Sequence, residues 1–120
     1  VEDKKHPATK NLPEHWTLHD EFYQFTKTVG QPGPTKLPAP MAFDRSKVHV
    51  LVSFDSERTD FTGVKGYEKG GDYPQVWPQT LGKGRTFYTA IGHREDLWRG
   101  DATYRQFVTG AIRWVLRLED

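Results

Sequence analysis

Cysteine is absent from this 120-residue chain, and methionine occurs once, at position 41. The absence of cysteine excludes disulfides, zinc–thiolate sites and cysteine nucleophiles. No apolar stretch approaches the roughly 20 residues of a membrane span, because His49 and Ser53 interrupt the longest run at 48–54. No signal-peptide pattern is present either. We therefore expect no membrane association and a soluble, cytoplasmic protein, and we interpret Val1 as a processed end or a fragment boundary.

The chain also lacks an excess of charge of one sign, since 17 basic and 16 acidic side chains give a net charge of +1. A nucleic-acid-binding surface normally has several clustered cations, whereas the densest basic segments here, 3–6 and 83–85, are short. We therefore expect no nucleic-acid partner. What the chain does have is seven Phe, five Tyr and four Trp, which are enough to build the core of one domain over residues 1–120.

The first third of the chain has no helical pattern. Residues 1–15 are polar and interrupted by two prolines, which predicts an extended lead-in with solvated His6 and His15. Residues 16–25 alternate with period two, which is typical of a strand or an extended loop. Glycine and proline then dominate residues 30–40, which predicts a loop of polyproline character.

The middle of the chain has the composition of a small sheet. The β-branched run 48–54 is the clearest strand, and the glycine-rich stretch 55–72 predicts a long surface loop. Residues 74–80 and 85–91 flank a glycine-containing turn, which indicates a hairpin. Because proline cannot donate to a strand ladder, Pro78 favours an edge position or a bulge for the first hairpin strand.

The last part of the chain predicts an amphipathic helix. Asp101 is a suitable N-cap for it, and Arg113 and Arg117 suit its last turns. Apolar residues recur there with helical spacing at Tyr104, Phe107, Val108, Ala111, Ile112 and Val115.

Several segments match, in order and spacing, the pattern of a known family. They read HPATKNLP at 6–13, HDEFY at 19–23, PQVW at 74–77, LGKGRTFYTAIGH at 81–93 and GAIRW at 110–114. Over nearly its whole length the chain therefore resembles the C-terminal portion of ThuA-like (trehalose utilisation) domains. The resemblance implies a bacterial protein of sugar metabolism, particularly of trehalose and keto-sugars.

The resemblance also implies a truncated flavodoxin-like α/β fold related to class I glutamine amidotransferases, with a mixed sheet and a C-terminal helix. The N-terminal half of the family domain is not represented, and without cysteine the chain cannot hydrolyse glutamine as those amidotransferases do. Such a sheet needs cover on both faces, whereas one helix covers only one. We therefore expect self-association to complete the fold, as a homodimer that could exchange segments.

Two groups of polar residues are candidates for chemistry. If strands 48–54 and 85–91 run in the same direction, Asp55 and His93 emerge at one edge of the sheet, where ligands gather in open α/β folds. The neighbouring Arg94, Glu95 and Asp96 could serve as charge partners of His93. The competing interpretation is an exposed histidine that caps the turn before the last helix.

The second group lies at 19–23. Alternation in an extended segment puts His19, Glu21 and Tyr23 on one side and Asp20 on the other. An imidazole and a carboxylate on one face can act as base and acid, or the cluster can be a structural anchor. His19, Glu21 and His93 would form a metal site only if the fold brought them together. We assign no resident metal or cofactor.

The function hypothesis is therefore an enzyme of small carbohydrates. It would be a hydrolase, lyase or isomerase of a sugar, keto-sugar or lactone, with His93, His19, Glu21 and Asp55 as catalytic residues. The proposed substrate-binding residues are Tyr23, Asp20, Arg94 and Trp77, although core packing is an alternative role for the tryptophan. The other hypotheses are a sugar- or protein-binding module without catalysis and a structural remnant that folds as an oligomer.

Overall fold

Three strands form one antiparallel sheet in a computed structural model that describes residues 1–25 and 43–120. The strands are β1 (Val52–Ser53), β2 (Pro74–Leu81) and β3 (Gly84–Thr89), in the order β1-β2-β3. A 3-10 turn (Arg45–Lys47) precedes the sheet, and helices α1 (Glu95–Gly100) and α2 (Ala102–Val115) follow it. The predicted loop at 30–40 lies outside the described residues. The fold is thus a small α/β arrangement.

The predicted hairpin is confirmed as β2 and β3, joined by a turn in which Gly82 has a φ of +58°. Strand β2 is central in the strand order, but β1 pairs with it only at Pro74 and Val76, so at Pro78 it pairs with β3 alone and the predicted edge position holds there. Proline is tolerated there since Pro78 faces Phe87 at a position where the β2–β3 ladder needs no N–H donor. Hydrogen-bonded and non-hydrogen-bonded residue pairs alternate along an antiparallel ladder. Ala90 donates to the Gln75 carbonyl, so the pair Gln75–Ala90 is hydrogen-bonded and the pair Pro78–Phe87, three positions further along, is not.

The predicted strand 48–54 is shorter than expected, since only Val52 and Ser53 have regular strand geometry. Leu51 and Phe54 still donate backbone hydrogen bonds to β2 and to Tyr73, at 2.9 Å each. Both pairings of the sheet are antiparallel, so the mixed sheet expected from the sequence is not found among the described residues. Because β1 and β3 are both antiparallel to β2, they run in the same direction, which is the condition under which Asp55 and His93 were expected at one edge of the sheet.

Helix α2 is confirmed, and the Asp101 side chain caps it by accepting from the Tyr104 N–H at 2.9 Å. Its buried face is narrower than the sequence predicted, because Ile112 is 53% exposed. Helix α1 was not predicted. The face of α2 that packs into the core is formed by Tyr104, Phe107, Gly110 and Ala111.

Part of the N-terminal segment belongs to the core, so the prediction of a solvated lead-in is wrong for residues 7–9 and Leu12, whereas the predicted exposure of His15 is confirmed. Ala8, Thr9 and Leu12 are at most 3% exposed. A side chain at Gly110 would overlap the Pro7 carbonyl and come within 2.8 Å of the Ala8 Cα, so α2 and this segment pack backbone to backbone. Within the described residues, no helix has the length and apolar character needed to cross a bilayer.

Candidate functional site

The extended segment 19–23 positions the candidate site. It has no strand pairing, but its exposure alternates as predicted, with His19, Glu21 and Tyr23 exposed and Asp20 half-buried. Phe22, on the inner side, packs against the hydrophobic core. The period-two sequence pattern is therefore produced by packing on one side of an extended chain.

Asp20 fixes the turn that carries His93. Its two carboxylate oxygens accept the N–H groups of Gly92 at 2.6 Å and Arg94 at 3.1 Å. Gly92 has a φ of +126°, and a Cβ there would overlap the Tyr104 hydroxyl. Burial, followed by the negative charge of Asp20, raises the pKa of Tyr104 to about 12. The turn is thus held by fixed contacts on both sides.

His93 and Glu21 face each other across this junction. The His93 Nδ1 lies 3.3 Å from a Glu21 carboxylate oxygen, with the two side chains 63% and 52% exposed. An ion pair that is this exposed adds at most about 1 kcal/mol to stability. We call this pair the His93–Glu21 dyad. It joins an imidazole and a carboxylate that are 72 positions apart in the sequence.

An apolar groove begins beside the dyad. Its volume is about 660 Å³, and it runs between β3 and the outer side of α2. His93 and Tyr23 are among its lining residues, together with Trp98, which is 50% exposed and donates its indole N–H to the Gly92 carbonyl at 2.9 Å.

A second and larger cavity, of about 880 Å³, lies between the segment 14–20 and the loop 54–67. We call it the loop cleft. His19 and Asp55 line it, so the structure separates them from His93 and its groove. Asp55 accepts the N–H groups of Glu57 and Arg58 at 3.2 Å each, which gives it a structural task in the loop.

His15 also belongs to the loop cleft, although the sequence predicts only a solvated side chain there. Its Nδ1 lies 3.6 Å from an Asp55 carboxylate oxygen, and both residues line the loop cleft. The lead-in was assigned as solvent-exposed because it is polar, and no local sequence signal indicates a partner 40 positions away.

Two further predicted residues have other surroundings. The Arg94 guanidinium donates two hydrogen bonds to Asp96, both at 3.0 Å, and this pairing raises the pKa of the Arg94 guanidinium. Trp77 is 7% exposed and stacks on Tyr88 with 4.2 Å between ring centroids. In residues 1–25 and 43–120, no three His, Asp or Glu side chains converge as a metal site requires, so His19 does not join the dyad.

The comparisons with known proteins agree with the resemblance in the sequence. The family model ThuA, described as trehalose utilisation, matches residues 1–115. No match was found among curated proteins or among solved structures. The family match covers nearly the whole chain and connects it to carbohydrate metabolism. The chain therefore belongs to the ThuA family.

Proposed function

We propose that the protein is an acid–base enzyme of a small carbohydrate, with the His93–Glu21 dyad as its catalytic group. The observation that carries the proposal is the 3.3 Å approach of the Glu21 carboxylate to the His93 Nδ1 on a turn held by Asp20. Sugars, keto-sugars and lactones react by proton transfer at hydroxyl, carbonyl-adjacent or ester positions. The reaction is thus a hydrolysis, elimination or isomerisation.

The two members of the dyad have different roles in this proposal. A carboxylate at Nδ1 holds the proton on that nitrogen and stabilises the imidazolium that forms when the ring accepts a second proton. Nε2 is then the nitrogen that exchanges a proton with the substrate. The exposure of His93, 63%, leaves the ring open to a ligand.

Nearby aromatic rings support a carbohydrate as the substrate. Tyr23 and Trp98 are 45% and 50% exposed and line the groove together with His93. An aromatic ring at a surface can cover the apolar face of a sugar while hydroxyl groups stay hydrated. We infer that these two rings receive the reacting sugar. Trp77 stacks on Tyr88 and Arg94 pairs with Asp96, so we assign these two residues structural roles rather than sugar contacts.

The test compares His93→Gln with a matched control, His49→Gln. His49 is also 63% exposed and also close to a carboxylate, Asp3, at 3.1 Å. With trehalose, 3-keto-disaccharides and an aldonolactone as substrates, we expect His93→Gln to lower kcat about 10²- to 10⁴-fold. The thermal unfolding midpoint should stay the same in both variants. Equal turnover in the two variants would contradict the proposal.

A binding module without catalysis is the alternative function. It is favoured by apolar side chains that stay exposed along the groove, such as Ile112 at 53% and Leu116 at 62%. These side chains also support the homodimer and the flavodoxin-like fold completed by a second copy, which remain predictions. Light scattering over a range of concentrations tests the dimer, and sugar binding without turnover would favour the module.

A further inference from the structure

The loop cleft has walls of two different kinds. On one side lies the extended segment 14–20, and on the other lies the loop, with Phe54, Phe61 and Tyr67 facing the cavity. Phe61 stacks on Tyr67 at 5.5 Å with an interplanar angle of 15°, and Phe54 lies 5.4 Å from Phe61. The cleft therefore offers a continuous aromatic wall to a ligand.

Polar side chains surround this wall. His15, His19, Arg58 and Thr59 line the same cavity, which has the size of a small-molecule site. Apolar walls with a few convergent polar groups suit a ligand that has both apolar faces and hydroxyl groups. A pyranose ring has this chemistry, since its C–H faces stack on aromatic rings and its hydroxyls pair with imidazole and guanidinium groups.

The charges of the cleft disfavour an anion. Four acidic residues line it, Glu14, Asp20, Asp55 and Asp60, against two cationic groups, the guanidinium of Arg58 and the amino group of Val1, which donates to the Glu14 carbonyl. That guanidinium is already 3.7 Å from the Asp55 carboxylate. A phosphate group would meet a negative field here, and like charges at close range cost several kcal/mol at an interface. An uncharged sugar avoids this cost.

The cleft is also close to the dyad. His19 lines the cleft, and Glu21 is two residues further along the same exposed side of the extended segment. Two residues of extended chain span about 7 Å. A disaccharide that contacts His19 with one ring can therefore reach the His93–Glu21 dyad with the other.

We infer that the loop cleft is the subsite for an uncharged hexose unit, held by the aromatic wall and by His19, and that it rejects phosphorylated sugars. The inference takes its ligand class from the proposed carbohydrate function. It adds where the sugar that does not react is bound and which sugars are excluded.

The experiment is calorimetric titration of the full chain with trehalose, glucose and trehalose 6-phosphate. The variants are His19→Ala and Phe61→Ala, with His49→Ala and Leu81→Ala as controls outside both cavities. Leu81 is 64% exposed at the end of β2. We expect trehalose to bind at least tenfold more weakly to the two cleft variants, and the two control variants to bind like the wild type. Trehalose 6-phosphate should bind at least tenfold more weakly than trehalose to the wild type.

Two results would overturn the inference. One is unchanged trehalose affinity in His19→Ala and Phe61→Ala, with folding of both checked by their unfolding midpoints. The other is binding of the phosphate ester as tight as that of trehalose. If sugar binding depends on the cleft but the protein shows no turnover, the proposed catalysis is wrong and the subsite stands. If turnover depends on the dyad but both cleft variants keep the wild-type KM, the subsite is wrong and the proposed catalysis stands.

Discussion

Two irregular segments of this chain, residues 1–18 and 54–73, are alike in sequence and different in structure. Both are rich in polar residues, and neither contains a helix, while only turns and bends interrupt their extended backbone. The first contributes Ala8, Thr9 and Leu12 to the interior. The second stays largely exposed, and its aromatic rings pack on one another and on Phe22.

The difference teaches that packing and regular secondary structure are separate properties. The N-terminal segment is buried because α2 presents Gly110, which lets the Pro7 and Ala8 backbone approach it. The loop closes partly on itself, with the Tyr73 hydroxyl accepting the Glu68 N–H at 2.9 Å and Ser56 donating to the Gly71 carbonyl at 3.0 Å. It also contacts the extended segment 19–25, since the Tyr67 hydroxyl donates to the Phe22 carbonyl. The first arrangement supports the fold, and the second shapes a cavity.

Gly110→Ala should have the largest effect on stability, because it disturbs the contact that buries the N-terminal segment. Alanine is the better helix former, but its Cβ would overlap the Pro7 carbonyl, so the N-terminal segment has to move. We expect a loss of about 2–4 kcal/mol in unfolding free energy by urea denaturation. Gly100→Ala is the matched control, because a Cβ there meets nothing within 4 Å. Equal stability of the two variants would show that the segment does not pack on α2.

Acid should release the N-terminal segment through His6. Its Nδ1 accepts the Ala8 N–H at 3.2 Å, and its buried Nε2 has no partner within the described residues. The ring lies 5.0 Å from Trp114 and 5.7 Å from Phe87. Burial, the largest cause, lowers the pKa of His6 from 6.5 to about 4.

The unfolded chain therefore binds more protons than the folded chain between pH 6.5 and 4, so stability falls as the pH is lowered through this window. We expect this group to contribute a loss of about 2–3 kcal/mol. Urea unfolding of the wild type and of His6→Phe at pH 7 and pH 4 measures it. The difference between the two proteins should change by that amount, and a constant difference would refute the role of His6.

Tyr67→Phe should have the smallest effect, and it tests the contact between the loop and the extended segment 19–23. It removes the hydrogen bond from the Tyr67 hydroxyl to the Phe22 carbonyl, 3.0 Å long, and keeps the ring that stacks on Phe61. We expect a loss of about 0.5–1.5 kcal/mol. Amide exchange should speed up in the loop and stay unchanged at Thr9. Faster exchange at both places would mean that the two segments unfold as one unit.

Local patterns in the sequence predicted the parts of the fold that local physics determines. The helical spacing after Asp101 and the glycine turn between two β-rich runs each gave the right element. Alternation along 19–23 predicted which side chains are exposed. The pairing of Glu21 with His93 was an expectation that needed the fold, because neither residue carries a local signal for the other.

Other features depended on partners far away in the chain. Polar composition indicated a solvated lead-in, although Leu12 is 2% exposed, because burial depends on what packs against a segment. Pro78 indicated an edge or a bulge, and only the fold showed that β1 pairs with the same strand at Pro74 and Val76 while Pro78 pairs with β3 alone. Asp20 was assigned to a substrate, and only the approach of Gly92 showed that it holds the turn.

The sequence by itself determined the family, the closing helix, the hairpin and the absence of thiol chemistry, since each follows from residue types at short range. The tertiary structure decided that the N-terminal segment is core, that Asp20 positions His93, and that His19 and His93 line different cavities. These facts join residues many positions apart, and only the folded chain sets the distance between them.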